Sequence, residues 1–590
     1  MGSFNKAKVC KAVVIVCLVL LGSGRSSATA AQPIAAGEEV LTSNAEAGRG
    51  GGRIVVALRA EPKTLNPVTS GDQPSREVIH RMIGDLIHIN RATQLTEPAL
   101  AKSWTVSKDG RTYTVHLRRG IRFSDGQPFD ADDVVFSFQV YEDEKINSPQ
   151  RDLLVVGGKP IAARKVDAHT VEFQMAQPYA AAERLFDTVA MLPKHMLEAD
   201  YRAGKLAQAW GLNSPASSVV GLGPFRLKEY VAGQRVVLER NPYYWKADRK
   251  KVRLPYLDEI VFLFVNSEDA QVLRFTAGET DVISRLGPDN FAVLEKDQAA
   301  RGFRMYDLGP GLEYSFLFFN LNSVLPKNSE GLAQKQKWFQ DVRFRQAISA
   351  GIDRSGINKL VYRRRGSVLA TQVTPAYKNW IDAAVPQPVR SVPKARDLLQ
   401  RAGFKWASDG RLTDGAGTPV EFSIATSASN AQRTQTATII QDDLKELGIK
   451  VNVVPLDFRS LLDRVYQSHD YEAVVLALGG GDVDPNPQMN VWLSNGSTHL
   501  WDLGETKPAT PWEAEIDRLM NQQLTTLDAR QRKKLYDRVQ EIVAEDLPLI
   551  CLVSPHILVG AKATLGNFQP AILDHYTLWN ADELYLKAKP

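Results

Sequence analysis

Pro98-Ala99-Leu100-Ala101-Lys102-Ser103-Trp104 leads into Asp109-Gly110-Arg111-Thr112-Tyr113, then Leu117-Arg118-Arg119-Gly120-Ile121-Arg122-Phe123, Asp125-Gly126-Gln127-Pro128-Phe129 and Ala131-Asp132-Asp133-Val134-Val135-Phe136. Within this run Tyr113, Val115 and Leu117 alternate with Thr114, His116 and Arg118, the period-two pattern of a half-buried strand. Ser124-Asp125-Gly126 makes a turn. Asp130 then caps a helix, with Asp132 and Asp133 in its first turn where the helix dipole favours negative charge. Strand, turn and capped helix follow one another in close succession. Trp104 and Tyr113 read as core aromatics.

The same switching recurs on both sides of this run. Upstream, Ile54-Val55-Val56-Ala57-Leu58 reads as a buried strand, followed by Glu61-Pro62-Lys63-Thr64-Leu65-Asn66-Pro67, whose prolines enforce an extended or turning path. Downstream, Arg235 to Glu239 reads as a strand ending at Asn241-Pro242. Ile440, Leu444 and Leu447 repeat at helical spacing up to Gly448, after which Ile449, Val451 and Val453 alternate as a strand. Leu535, Val539, Ile542 and Val543 mark an amphipathic helix before Pro548. Such alternation indicates mixed α/β domains, and no short-period repeat points to a solenoid or propeller.

With 590 residues, 44% hydrophobic and 24% charged, the chain has the bulk of an ordinary globular protein of two or three domains. The net charge is +5, and Lys6, Lys8, Lys11 and Arg25, with no acid among the first thirty residues, account for all but one unit of it. The nearly neutral remainder gives no electrostatic reason to expect nucleic acid as a partner. Those cations flank the apolar run Ala12 to Leu21, and Ala28-Thr29-Ala30 supplies the small residues of a cleavage site. The expectation is a cleaved secretory signal over 1–30, hence a periplasmic protein; the run is short for a spanning anchor. Neither Cys10 nor Cys17 sits in a lipobox, and both would leave with the signal. Cys551 alone remains, in the apolar run Leu549 to Val553, so no intramolecular disulfide is possible and a core role is expected.

The opening run resembles the signature of bacterial extracellular solute-binding proteins of family 5, the peptide and nickel type. Further stretches carry the resemblance in order: Gly223-Pro224-Phe225 with Gly233-Gln234 and Asn241-Pro242-Tyr243-Tyr244-Trp245; Tyr256-Leu257-Asp258-Glu259-Ile260 with Gly278-Glu279-Thr280-Asp281-Val282; Asp341-Val342-Arg343-Phe344-Arg345-Gln346-Ala347-Ile348 with Ile352-Asp353-Arg354; Ala402-Gly403-Phe404; and the helix of Leu535 to Val543. The resemblance implies an α/β fold of periplasmic binding protein type II, two lobes with an additional inserted domain. The implied division is a flexible leader over 31–52, domain I over 53–75, 218–305 and 551–590, domain II over 76–217, and domain III, the second lobe, over 306–550. The Ala, Gly and Glu richness of the leader independently reads as loose chain.

The resemblance also places a ligand between the lobes. On the first lobe Gly71, Asp72 and Gln73 match the segment that pairs with bound peptide, although a solvated loop fits their polarity as well. On the second lobe Val474-Val475-Leu476-Ala477-Leu478 runs into Gly479-Gly480-Gly481-Asp482-Val483-Asp484-Pro485, where glycines let a ligand approach the backbone. Many peptide-binding members carry an Asp four residues before this Pro that meets the peptide's amino group. Here that position is Gly481, so the anchor is missing or has moved to Asp482. The spacing of Asp482, Asp484 and Asn486 is also that of an oxygen-ligand calcium loop, but the Gly and terminal Glu of such a loop are absent, so no metal is expected; loop capping comes first and ligand contact second. Tyr314, Phe318, Asn320, Trp380 and Trp492 are candidate pocket lining, Trp380 being the hardest to read as core.

No zinc-protease helix, phosphate loop or nucleophile elbow is present, and His80 and His88 read as the surface of one helix. The expectation is a binder without catalytic residues or cofactor, working as a monomer that hands a small molecule or peptide to the permease subunits of an ABC importer. A secreted hydrolase and a sensory or chaperone-like binder on the same fold are the alternatives.

Overall fold

The structure is a computed structural model and describes residues 32–326 and 329–588, so the expected signal lies outside the described residues. Among them no helix is long and apolar enough to cross a membrane.

Three sheets organise the chain. The largest runs Phe225–Val231, Arg235–Arg240, Glu259–Phe264, Arg53–Leu58, Val282–Ile283, Val553–Lys562, Phe303–Pro310. Its centre is parallel, Ile54 standing opposite Ile260, and both ends are antiparallel. Ala101–Val106, Thr112–Leu117, Thr170–Gln174 and Ala162–Asp167 form an antiparallel second sheet. Tyr113, Val115 and Leu117 face its core, and the helix Ala131–Glu142 follows, with Asp130 and Asp133 closing a reciprocal cap. These two sheets share one apolar cluster and make the first lobe. The third sheet, Lys450–Leu456, Glu421–Ser427, Ala473–Leu478, Tyr314–Phe319, Ile550–Cys551, is the centre of the second lobe. Every residue of Tyr314–Phe319 is buried because helices cover both faces of that sheet.

The chain passes between the lobes in two neighbouring places, at 311–313 and at 552. There Gly311 N–H donates to the Pro555 carbonyl at 3.1 Å and Leu552 N–H to that of Ser315 at 2.8 Å, so the two crossing segments lie side by side. Two adjacent connections permit rotation about their shared line, which is the layout of a hinge.

Residues 32–52, expected as a loose leader, run along the first lobe. Arg253 and Glu38 form a buried double ion pair, and Arg253 also donates to the Gln32, Pro33 and Tyr244 carbonyls. Leu41–Thr42 pairs in parallel with Lys246–Ala247. Composition reports a lack of apolar side chains, but this strap is held by charge and backbone. Glu38→Ala leaves Arg253 without its carboxylate and is expected to destabilise the strap by about 3 kcal/mol. Hydrogen exchange at the Leu41 and Ser43 amides, which donate to Trp245 and Ala247, should then accelerate by roughly a hundredfold. Unchanged protection there would show that the ion pair does not hold it.

Candidate functional site

Beyond the two crossing segments, the lobes also touch through side-chain and backbone contacts. Ala180 N–H donates to the Leu524 carbonyl at 2.8 Å, and Gln94 Nε2 to that of Ala376 at 3.3 Å. Between these contacts the Arg184 guanidinium reaches across from the short helix Ala182–Leu185 and grips both oxygens of Asp482, its Nη1 donating to the Gln94 carbonyl at 3.0 Å. Both side chains are 16% exposed. Burial lowers the tendency of Arg184 to hold its charge, but the Asp482 bonds and charge outweigh it, so its pKa is raised. Asp482 is therefore spent on the opposite lobe rather than left free in the loop.

Asp484, two residues on, is held within its own lobe. Its oxygens accept from Arg532 at 2.7 and 2.8 Å, and Arg532 also reaches Asn486 and Gln523. The Arg532 guanidinium lies 4.9 Å from the centre of the Trp380 ring, which packs edge-on to Tyr536. Trp380 is thus half-buried on a cation in the second lobe.

Gly479 and Gly481 have open space where a side chain would stand, whereas a Cβ on Gly480 would meet the Tyr377 hydroxyl at 2.4 Å. That hydroxyl accepts from Gln488, whose carbonyl oxygen takes the Trp492 indole N–H at 3.3 Å. Burial pushes the Tyr377 hydroxyl far up. The loop thus presents two bare backbone positions over a fixed polar floor.

Four expected lining residues sit in the core of the second lobe. Tyr314, Phe318 and Trp492 are fully buried, and Asn320 donates to the His469 and Tyr471 carbonyls. Large aromatics serve pocket and core equally well, so residue type alone does not separate the two roles. Asp72, in extended backbone, caps the helix Gln73–Ile79 and accepts from the Ser75 amide and hydroxyl. Gln73 opens that helix and donates to Glu77, while Gly71 is exposed with open space beside it. Pro74 in the first turn is the available signal.

His80 and His88 do not share a helix. His80 follows the helix end and stacks on His575 at 4.0 Å, whereas His88 lies on the strand Ile87–Ile89. Burial pushes the His88 imidazole down, but Asp85 and Asp187 outweigh it and bring it up to about 9. Arg91 pairs with Asp187 at 2.8 Å and feels the charge of Asp482, so a charged network underlies the latch. Asp85, His88 and Asp187 have metal-like spacing, but Arg91 and the Ile89 amide already fill Asp187. The other such group, His499, Glu505 and Glu513, lies elsewhere in the second lobe.

Arg184, Gln94 and Tyr377 have no mark in the sequence. Nor does the loop before the C-terminus read as a bridge, yet Leu573 packs into the second lobe's apolar cluster and Leu578 into the first lobe's. Cys551 lies in the core as expected, its thiol pushed up to about 12 by burial.

Comparison with known proteins places this geometry. The chain is 30% identical over 517 residues, 83% of its length and 85% of the relative's, to a probable ABC transporter-binding protein of Deinococcus radiodurans. Its fold matches the oligopeptide-binding protein AppA of Bacillus subtilis in complex with a nonapeptide, at TM-score 0.69 and 24% identity over 92% of this chain and 100% of that one. It also matches NikA of Brucella suis in complex with Fe(III)-EDTA, at TM-score 0.74 and 21% identity over 91% and 100%. The family model described as bacterial extracellular solute-binding proteins, family 5 Middle, covers residues 96–499. The two-lobed α/β architecture and that match together make this chain a member of the bacterial extracellular solute-binding proteins of family 5.

Proposed function

We propose that the protein is the solute-capturing component of an ABC importer, closing two lobes over a peptide or peptide-like small molecule and presenting it to membrane permease subunits. The observation that carries the reading is the pairing of a two-segment hinge at 311–313 and 552 with the Arg184–Asp482 ion pair that spans the two lobes. A ligand drives closure only through contacts stronger in the closed state, and an ion pair between the lobes is a contact of that kind. Relatives named as ABC transporter-binding and oligopeptide-binding proteins support the same role.

The ligand lies along the bare backbone of Gly479 and Gly481, with Gly71 to Gln73 supplying the first lobe's side. Gly481 brings no carboxylate, and Asp482 is engaged by Arg184, so a free peptide amine has no anchor at this loop. Solutes held by backbone hydrogen bonds and shape fit this better than simple peptides gripped by their amino end. The protein works in the periplasm as a monomer, after loss of its signal, without catalysis.

The test is to purify the secreted protein, denature it and identify the released small molecule by mass spectrometry, then titrate that molecule back while following tryptophan fluorescence. One equivalent bound without turnover is expected. Steady conversion of the molecule would replace this reading by the hydrolase alternative, and no released or rebound solute would remove it.

A further inference from the structure

Away from the cleft, the second lobe buries a constellation that the solute-binding role does not use. His499 is 0% exposed at its side chain, and Glu505 and Glu513 are each 3% exposed. His499 Nδ1 lies 3.1 Å from the Val491 carbonyl oxygen, which only accepts, so that nitrogen carries the proton. His499 Nε2 is the nitrogen that faces the two carboxylates. It has no hydrogen-bond partner and faces Glu505 Oε2 at 3.6 Å and Glu513 Oε1 at 3.5 Å. Neither oxygen of Glu505 makes a well-formed hydrogen bond. One imidazole nitrogen and two carboxylates therefore converge in a buried place without hydrogen bonds to one another, a donor set that a cation at its centre would satisfy.

We propose that His499, Glu505 and Glu513 form a binding site for one divalent transition-metal ion of the Zn²⁺ class, which ties the loop after Trp492 to the helix Pro511–Thr525. Their ligand atoms all lie within 4.8 Å of one another. Arms of about 2.0–2.2 Å around a tetrahedral ion give ligand–ligand edges of about 3.3–3.6 Å, which the two His499 separations match. A nitrogen with two carboxylates selects such metals over Ca²⁺ and Mg²⁺, which prefer oxygen-only shells. The ligands are held from outside as metal ligands usually are. His499 is fixed by the Val491 carbonyl, and Glu513 accepts from the Trp501 indole at 3.0 Å, the Thr510 amide at 2.9 Å and the Thr510 hydroxyl at 2.7 Å. A fourth position remains for water.

Protein stripped with EDTA and exchanged into metal-free buffer should take up one equivalent of Zn²⁺. Co²⁺ should give the visible absorption of a four-coordinate ion and quench Trp501, whose ring lies 4.0 Å from that of His499. Zn²⁺ at a hundredfold excess over its dissociation constant should raise the melting temperature by roughly 5–10 °C. Glu505→Gln and His499→Gln should each abolish uptake while leaving solute binding in the cleft intact. Failure of the stripped native protein to take up Zn²⁺, which is the outcome if a proton alone sits in the site, overturns the proposal whether or not either variant folds. Uptake that survives both substitutions overturns it equally. Because solute binding is measured separately, a negative metal result leaves the importer reading untouched.

Discussion

Replacing Arg184 with alanine is expected to spring the closed form open and to weaken solute binding by roughly a hundredfold, with little change in melting temperature. Arg184 and Asp482 sit on different lobes and are 16% exposed, so the closed state removes most of their water. Deleting one partner of such a pair strands the other and costs about 3–5 kcal/mol where it cannot rehydrate. Here it can: opening returns Asp482 to solvent. The penalty therefore falls on the closed population, and each 1.4 kcal/mol shifts that population tenfold. About 3 kcal/mol gives the hundredfold figure, while the cores of both lobes keep their packing. Small-angle scattering of the Arg184→Ala protein should show a larger radius of gyration at every solute concentration below saturation. Asp482→Ala should behave the same way, and the double variant should lose less than the sum of the singles because both remove one interaction. Native scattering and native affinity in Arg184→Ala would end the latch assignment.

The periodic parts of this architecture are legible because their cause is local. Tyr113, Val115 and Leu117 must alternate if one face of Thr112–Leu117 is to be buried, and Asp130 with Asp133 announces the helix it caps. Ile440 and Leu444 both lie on the buried face of Ala431–Lys445, which stops three residues before Gly448, at φ +81°, turns the chain into Lys450–Leu456. The C-terminal amphipathic helix runs to Asp546, and Leu547 at φ +49° ends it one residue ahead of Pro548.

The latch is illegible for the opposite reason. Arg184 lies 298 residues from Asp482, in an Ala-rich helix turn that resembles any solvated surface. Nothing in either segment reports what the hinge brings against it. Asp482 stands out in the sequence for the wrong partner: glycine neighbours signal close approach, but whether a ligand amine or a guanidinium arrives depends on the far lobe. His499, Glu505 and Glu513 lie close together in the chain, yet no spacing rule marks them, because a loop and not a helix folds them together. The Ala and Gly of the N-terminal strap mislead in turn, since charge pairing with Arg253 compensates for the apolar surface it lacks.

Asp484→Ala should do what Asp482→Ala does not: melt the second lobe. Its partner Arg532 is 6% exposed, as is Asp484 itself, and both belong to one rigid unit. The loop carrying Asp484 is joined through Arg532 to Gln523 on the helix Pro511–Thr525 and to the helix Ala529–Asp546 that carries the arginine. Hinge motion carries Asp484 and Arg532 together, so opening the lobes does not separate this pair as it does Arg184 and Asp482. Asn486 and the Trp380 face remain, but neither bears a full negative charge. The loss should be about 3–5 kcal/mol, or roughly 10–15 °C in the melting transition of a lobe this size. Calorimetry would resolve it as an earlier transition of the second lobe alone. Replacing both partners by apolar residues, Asp484→Leu with Arg532→Met, should recover most of the loss because no charge is then stranded. Equal melting temperatures for Asp484→Ala and the native protein would refute the staple. The two carboxylates stand two residues apart with the same chemistry, and what separates their effects is which lobe supplies the arginine. A partner across the hinge makes the charge pair a term in the open–closed equilibrium, and a partner inside the lobe makes it a term in folding.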